Sequence, residues 1–153
     1  MKEIKAPDAL PGLTEGSGIF LAGSIEQGAA PEWQARVVAA VADLDVTIFN
    51  PRRDDWDASW KQSMDDPQFS EQVEWELSAL ELADQIAMYF APETQSPITL
   101  LELGLFARSG KLIVCCPEGF WRKGNVDIVC RRYHVDRVKS MEELITSLRS
   151  EIR

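Results

Sequence analysis

Glu102 is the residue whose setting in the chain most invites chemistry. It stands inside the run Leu100, Leu101, Leu103, Leu105 and Phe106. On a helix, its neighbours three and four positions away are Ile98, Thr99, Leu105 and Phe106. None is basic, so the acid has no local ion-pair partner. A charge among leucines costs several kcal/mol unless something specific compensates. Two readings are open. The first is an acid held at the mouth of a site, since buried acids flag function. The second is a helix cap, because Thr99-Leu100-Leu101-Glu102 fits the S/T-x-x-E box.

Four other groups have the right types to meet a ligand. Gly23-Ser24 closes the apolar run Gly18 to Ala22, with Gly28 behind it. A turn of small residues lets backbone approach a ligand closely, although a plain strand-to-helix turn reads the same. The spacing is neither G-x-G-x-x-G nor a P-loop, so it implies no dinucleotide or triphosphate. Asn50 to Asp57 is a polar loop with Arg52, Arg53 and Trp56, and tryptophans such as Trp56 and Trp60 are costly to leave in water. Asp84 opens a strand, which an acid can do without further purpose. Phe120 to Asn125 brings an aromatic, Trp121, two cations and the amide of Asn125, which could equally cap a helix beginning at Val126.

The elements that must position these groups follow from periodicity. Short apolar runs at residues 18–22, 46–49, 85–90, 111–116 and 135–138 read as strands. Between them lie helices at Pro31 to Leu44, at Ser70 to Leu82 with Ser70 as N-cap, after Pro97, at Val126 to Arg132, and after Ser140, where Ser140 and Glu143 form a capping box. Strand and helix alternate throughout. That pattern predicts a five-stranded parallel sheet covered by helices on both faces, three layers in all. Ligands bind such sheets outside the carboxyl ends of the strands. Residues 1–16, rich in Pro and Gly, read as an N-terminal arm, and residues 17–153 as one domain.

Composition narrows the function. A chain of 153 residues with 45% apolar content suits one compact domain. No apolar run approaches the ~20 residues of a membrane helix. The first residues lack a signal-peptide core, so a cytoplasmic location is expected. Cys115, Cys116 and Cys130 have no C-x-x-C spacing and, with His134 as the single histidine, form no metal-ligand set. The net charge of −9 argues against nucleic-acid polymers, whose affinity rests on Lys and Arg.

Several segments in the same order resemble the nucleoside 2-deoxyribosyltransferase-like family. They are Phe20-Leu21-Ala22-Gly23-Ser24, Phe49-Asn50-Pro51-Arg52-Arg53, Glu74-Trp75-Glu76 with Ala83-Asp84, Ile98-Thr99-Leu100-Leu101-Glu102-Leu103-Gly104, and Gly119-Phe120-Trp121-Arg122-Lys123-Gly124-Asn125-Val126. The resemblance implies a flavodoxin-like doubly wound fold and cleavage of the N-glycosidic bond of deoxynucleosides or their monophosphates, with no cofactor. It implies Glu102 as nucleophile and Asp84 as the acid that orients or protonates the leaving base. Gly23, Ser24, Asn50, Arg52, Trp56 and Trp121 would line the substrate pocket. Asn125 would serve the sugar across a subunit interface, which implies a homo-oligomer. The chain departs from the family's transferases in two places. Glu93, Gln95 and Ser96 stand where those have a second aspartate, and Phe20 stands where they have a tyrosine. The pairs Arg52-Arg53 and Arg122-Lys123 suit a substrate phosphate or plain surface charge. A non-catalytic nucleotide-binding module of the same fold is the alternative.

Overall fold

The computed structural model describes residues 1–12, 16–25, 32–55, 57 and 59–152. Its centre is a six-stranded sheet in the order β1-β3-β2-β4-β5-β6, parallel at every pairing. The strands are β1 Lys2–Lys5, β2 Ser17–Gly23, β3 Val46–Asn50, β4 Gln85–Tyr89, β5 Leu112–Cys115 and β6 Asp136–Val138. The five strands expected from sequence are β2 to β6. They run in the doubly wound, flavodoxin-like order, with β2 inside the sheet between β3 and β4. All of β3 and β5 and the middle of β2 and β4 are buried, as continuous apolar runs covered on both faces should be.

The sixth strand corrects the expected count of five. Lys2–Lys5 pairs with β3, Ile4 opposite Phe49, and Ala6 N–H continues the ladder to the Asn50 carbonyl at 3.1 Å. Its signal is weak because an edge strand buries little. Ile4 alone enters the core, while Lys2 and Glu3 stay exposed and Lys5 is half-buried. Charged residues are what a safe sheet edge carries.

Helices α1 Trp33–Ala40, α2 Pro67–Leu82, α3 Pro97–Phe106, α4 Lys123–Tyr133 and α5 Met141–Glu151 complete the three layers. One core holds Trp75, Ala79 and Leu80 of α2, Leu103 of α3 and Val126 and Cys130 of α4 against Phe20, Phe49, Ile86 and Val114 of the sheet. The other holds Trp33 and Val37 of α1, Val41 just past its end, and Leu144 and Leu148 of α5 against Ile19, Ile48, Ala87 and Ile113. So α2, α3 and α4 share one face, and α1 and α5 the other.

Two helix starts differ from the sequence expectation. The cap of α2 is Asp66, whose carboxylate accepts from the N–H groups of Gln68 and Phe69 at 3.1 and 3.2 Å, with Pro67 at the first helical position. An Asp-Pro pair satisfies two orphan donors and omits a third, which outcompetes Ser70. Helix α4 begins at Lys123, so Asn125 is an exposed residue inside its first turn and caps nothing. The box at α5 forms with a shift. Ser140 Oγ accepts from Glu143 N–H at 3.2 Å, while the Glu143 carboxylate accepts from Lys139 N–H, one residue early. Pro31, expected at the start of α1, lies outside the described residues.

Candidate active site

Every strand is parallel, so the loops after β2, β3, β4 and β5 emerge at one edge of the sheet. Helix α3 starts there, and its start is unusual. Its N-cap, Ser96, sits in left-handed backbone at φ 47° and makes no capping bond with its side chain. Instead its hydroxyl joins a triangle: Ser24 Oγ to Ser96 Oγ 2.5 Å, Ser24 Oγ to Thr94 Oγ1 2.8 Å, Thr94 Oγ1 to Ser96 Oγ 2.7 Å. Ser24 Oγ also accepts from Ala91 N–H at 3.0 Å. The end of β2 is thereby bound to the loop that launches α3. Ser24, expected as a ligand contact, is 1% exposed and acts as the fastener.

Because α3 starts at Pro97, Thr99 is its third residue and not its cap. The capping-box account of Glu102 therefore fails: the carboxyl lies in the second turn, beyond the orphan N–H groups. Glu102 is 7% exposed and faces inward beside Thr99 and Leu103. No hydrogen bond or ion pair reaches its carboxyl among the described residues. Burial pushes its pKa up to about 8, and the carboxylate of Glu76 adds to the push.

Glu76 is the acid that the sequence reading missed. It lies half-buried on α2, where loss of water around the carboxyl pushes it to about 7 while a hydrogen bond from Gln72 pulls the other way. Helical phase could have found it. Gln72, Trp75 and Ala79 face inward, and position 76 lies between them on the same stripe, whereas Glu71 and Glu74 point to solvent. A half-buried carboxyl group from α2 thus acts through its charge on a buried one from α3, with no cation paired to either among the described residues.

Asp84 is placed elsewhere. It precedes β4, where its carboxylate accepts from Gly18 N–H at 2.7 Å and its N–H donates to the Gly18 carbonyl at 2.9 Å. Those bonds clamp the amino ends of β2 and β4. The five residues of β4, about 16 Å of strand, separate it from the edge where α3 begins. The structure does not bring Asp84 to Glu102.

The remaining expected residues serve mostly as scaffold. A Cβ on Gly23 would sit 2.5 Å from the Trp33 ring and 2.6 Å from the Tyr89 carbonyl, so glycine is demanded by packing and not by ligand approach. Asn50, 3% exposed, donates to Glu3 at 2.9 Å and accepts from Arg52 N–H at 3.1 Å. The Arg52 guanidinium lies on α1's Gln34 at 3.3 Å, with Glu32 at 3.7 Å. Trp121 is 53% exposed, donates Nε1–H to the Gln95 carbonyl at 2.9 Å and carries Arg122 over its ring. It ties the loop after β5 to the loop before α3. Trp56 lies outside the described residues. Asn125 is exposed on α4. Lys123 is held by Asp127 and the Cys116 carbonyl at 3.0 Å each.

The sequence profile described as "Nucleoside 2-deoxyribosyltransferase like" matches residues 16–120, more than half of the chain. The chain belongs to the nucleoside 2-deoxyribosyltransferase-like family. No curated protein matches it. Among solved structures it resembles a conserved protein from Enterococcus faecalis V583, with a TM-score of 0.63, 13% identity, and coverage of 90% of this chain and 100% of that one. That likeness is one of fold. Family and fold together account for the gathering of loops at the carboxyl edge. Among the described residues no helix is long and apolar enough to cross a membrane, and no three His, Cys, Asp or Glu side chains cluster as metal ligands.

Proposed function

We propose that the protein cleaves the N-glycosidic bond of deoxynucleosides or their monophosphates through a glycosyl ester on Glu102, with Glu76, not Asp84, as the acid for the leaving base. One observation carries this reading: Glu102 is buried and Glu76 half-buried, the charge of Glu76 acts on Glu102, and no cation pairs with either among the described residues. With Glu102 at about 8 and Glu76 at about 7, the reactive arrangement near neutral pH is the less populated one, with the proton on Glu76 and Glu102 ionised. With the proton on Glu76, the Glu102 carboxylate attacks the anomeric carbon, the bond to the base breaks, and the base takes the proton from Glu76. Water or a second base then attacks the same carbon, the ester bond to Glu102 breaks, and Glu76 recovers a proton from the attacking group. Two inversions give net retention. The developing positive charge on the sugar favours the Glu102 anion beside it.

The testing experiment is incubation with a panel of deoxynucleosides and their monophosphates, with free base read by chromatography and a second base added to separate transfer from hydrolysis. Base release from at least one member is expected. Binding without release from any member would make the chain a non-catalytic nucleotide-binding module.

The active form is proposed to be a homodimer built on α3. Ile98, Leu101 and Leu105 are 57%, 60% and 57% exposed along one side of α3 next to the Glu102 position, and Ile128 of α4 is exposed as well. A helix apolar on both sides belongs in the interior of an assembly. This packing would carry the exposed amide of Asn125 on α4 toward a neighbouring protomer's site. Light scattering should give a dimer for the native chain and a monomer for the double variant Leu101→Lys, Leu105→Lys. A native monomer at high concentration removes the proposal.

A further inference from the structure

Glu76 is not held alone. Gln72, 4% exposed, lies one turn before Glu76 on α2. Its Nε2 donates to Glu76 Oε1 at 2.8 Å and to the Pro51 carbonyl at 3.0 Å. Its Oε1 accepts from Arg53 Nη1 at 3.4 Å. Arg53 is itself fixed: its side chain is 7% exposed, it grips Asp55 through two bonds of 2.9 and 3.1 Å, and it lies 4.8 Å over the Trp60 ring. A line of polar groups therefore runs Asp55, Arg53, Gln72, Glu76.

The direction of that line is forced. Turning the Gln72 amide over would aim its oxygen at two acceptors and its NH₂ at a guanidinium that has only donors. Gln72 therefore always offers N–H to Glu76 Oε1. An oxygen accepting that bond is the poorer place for the acid's own proton, which is left to Oε2.

We propose that Gln72 is a positioning residue: clamped by Arg53 and the Pro51 carbonyl, it holds one oxygen of Glu76 as an acceptor and confines the proton that Glu76 exchanges to the other. The proposal rests on the reading of Glu76 as the site's acid, but its physical content is independent of turnover. Gln72 on its own helix bonds Glu76, the charge of Glu76 acts on Glu102 of α3, and Arg53 and Asp55 stand behind Gln72. Removing the Gln72 donor takes away the bond that favours the Glu76 anion, so Glu76 should hold its proton to higher pH.

The test uses Gln72→Met, close in length and volume but without the donor, and Gln72→Asn as a second variant that keeps the amide but falls short of Glu76. Glu76 is titrated by carboxyl-carbon NMR in a Glu102→Gln background, where it is free of its acidic partner. Its titration should move up by about one pH unit, a tenfold gain in proton affinity, in either variant that folds. With Glu102 intact, the alkaline limb of the pH–rate profile, set by loss of the Glu76 proton, should move the same way, with kcat falling several-fold and KM little changed. An unmoved Glu76 titration overturns the proposal. A moved titration in a protein that releases no base keeps the Gln72 role and refutes the proposed reaction instead.

Discussion

Glu102→Gln should release no measurable base from any nucleoside or nucleotide that the native protein cleaves, a loss on the order of 10⁴-fold or more. The substitution keeps shape and volume. A neutral amide suits a site that already pushes its carboxyl toward the neutral form, so the fold and much of the ligand affinity should survive. What disappears is the oxygen that forms the ester and the charge that stabilises the sugar cation. The rival account gave Glu102 a capping duty that glutamine also performs. With Thr99 inside the helix, that duty does not exist. Base release at near-native rate would defeat the nucleophile assignment outright. Glu76→Gln should lose less, because an acid to the leaving group typically contributes about 10²–10⁴-fold. Substrates whose base leaves readily without protonation should be the least affected.

How much of this could be read from the chain depends on what kind of signal each feature leaves. Interior strands are legible because burial on both faces demands unbroken apolar runs such as Ile19-Phe20-Leu21-Ala22. The edge strand at Lys2–Lys5 was missed because one buried isoleucine among charges leaves no run. Glu102 stood out because its neighbours in sequence are also its neighbours in space. Its partner did not, since Glu76 lies on another helix and only tertiary packing joins them. Asp84 was misplaced for the converse reason. An acid beside a strand looks the same at either end, and only the register of β4 against β2 shows that it closes the amino edge. Gly23 was found for the wrong reason, since small residues after a strand suit a ligand and a tryptophan ring alike.

The stability of the native protein should fall as pH rises from about 5 to about 9, and this slope should be shallower in Glu102→Gln, where Glu76 alone of the two remains to titrate. Both acids carry raised pKa values in the fold, to about 7 for Glu76 and about 8 for Glu102, against 4.5 for an ordinary glutamate. The folded state therefore keeps protons that the unfolded chain has already lost. Their stabilising contribution is whole below about 4.5, declines as pH rises through the folded values, and is spent above them. The acids with lowered values, Asp43 beside Arg149 and Asp55 beside Arg53, act in the opposite sense and only at lower pH, where protonation would remove their partners' hold. They shape the acid limb and leave the alkaline one to Glu76 and Glu102. At about 1.4 kcal/mol per unit, the full Glu102 shift would be worth several kcal/mol. Relaxation of the site and sharing with Glu76 reduce that, so a gain of about 2 kcal/mol is expected for Glu102→Gln at alkaline pH, a rise of roughly 4–8 °C in Tm. At pH 5 the native acid is already protonated, and the two proteins should melt within a degree or two of each other. Thermal melts followed by circular dichroism across this range decide the matter. Parallel curves for native and variant would mean that Glu102 is ionised and solvated in the folded protein, and the carboxyl pair would no longer support the proposed chemistry.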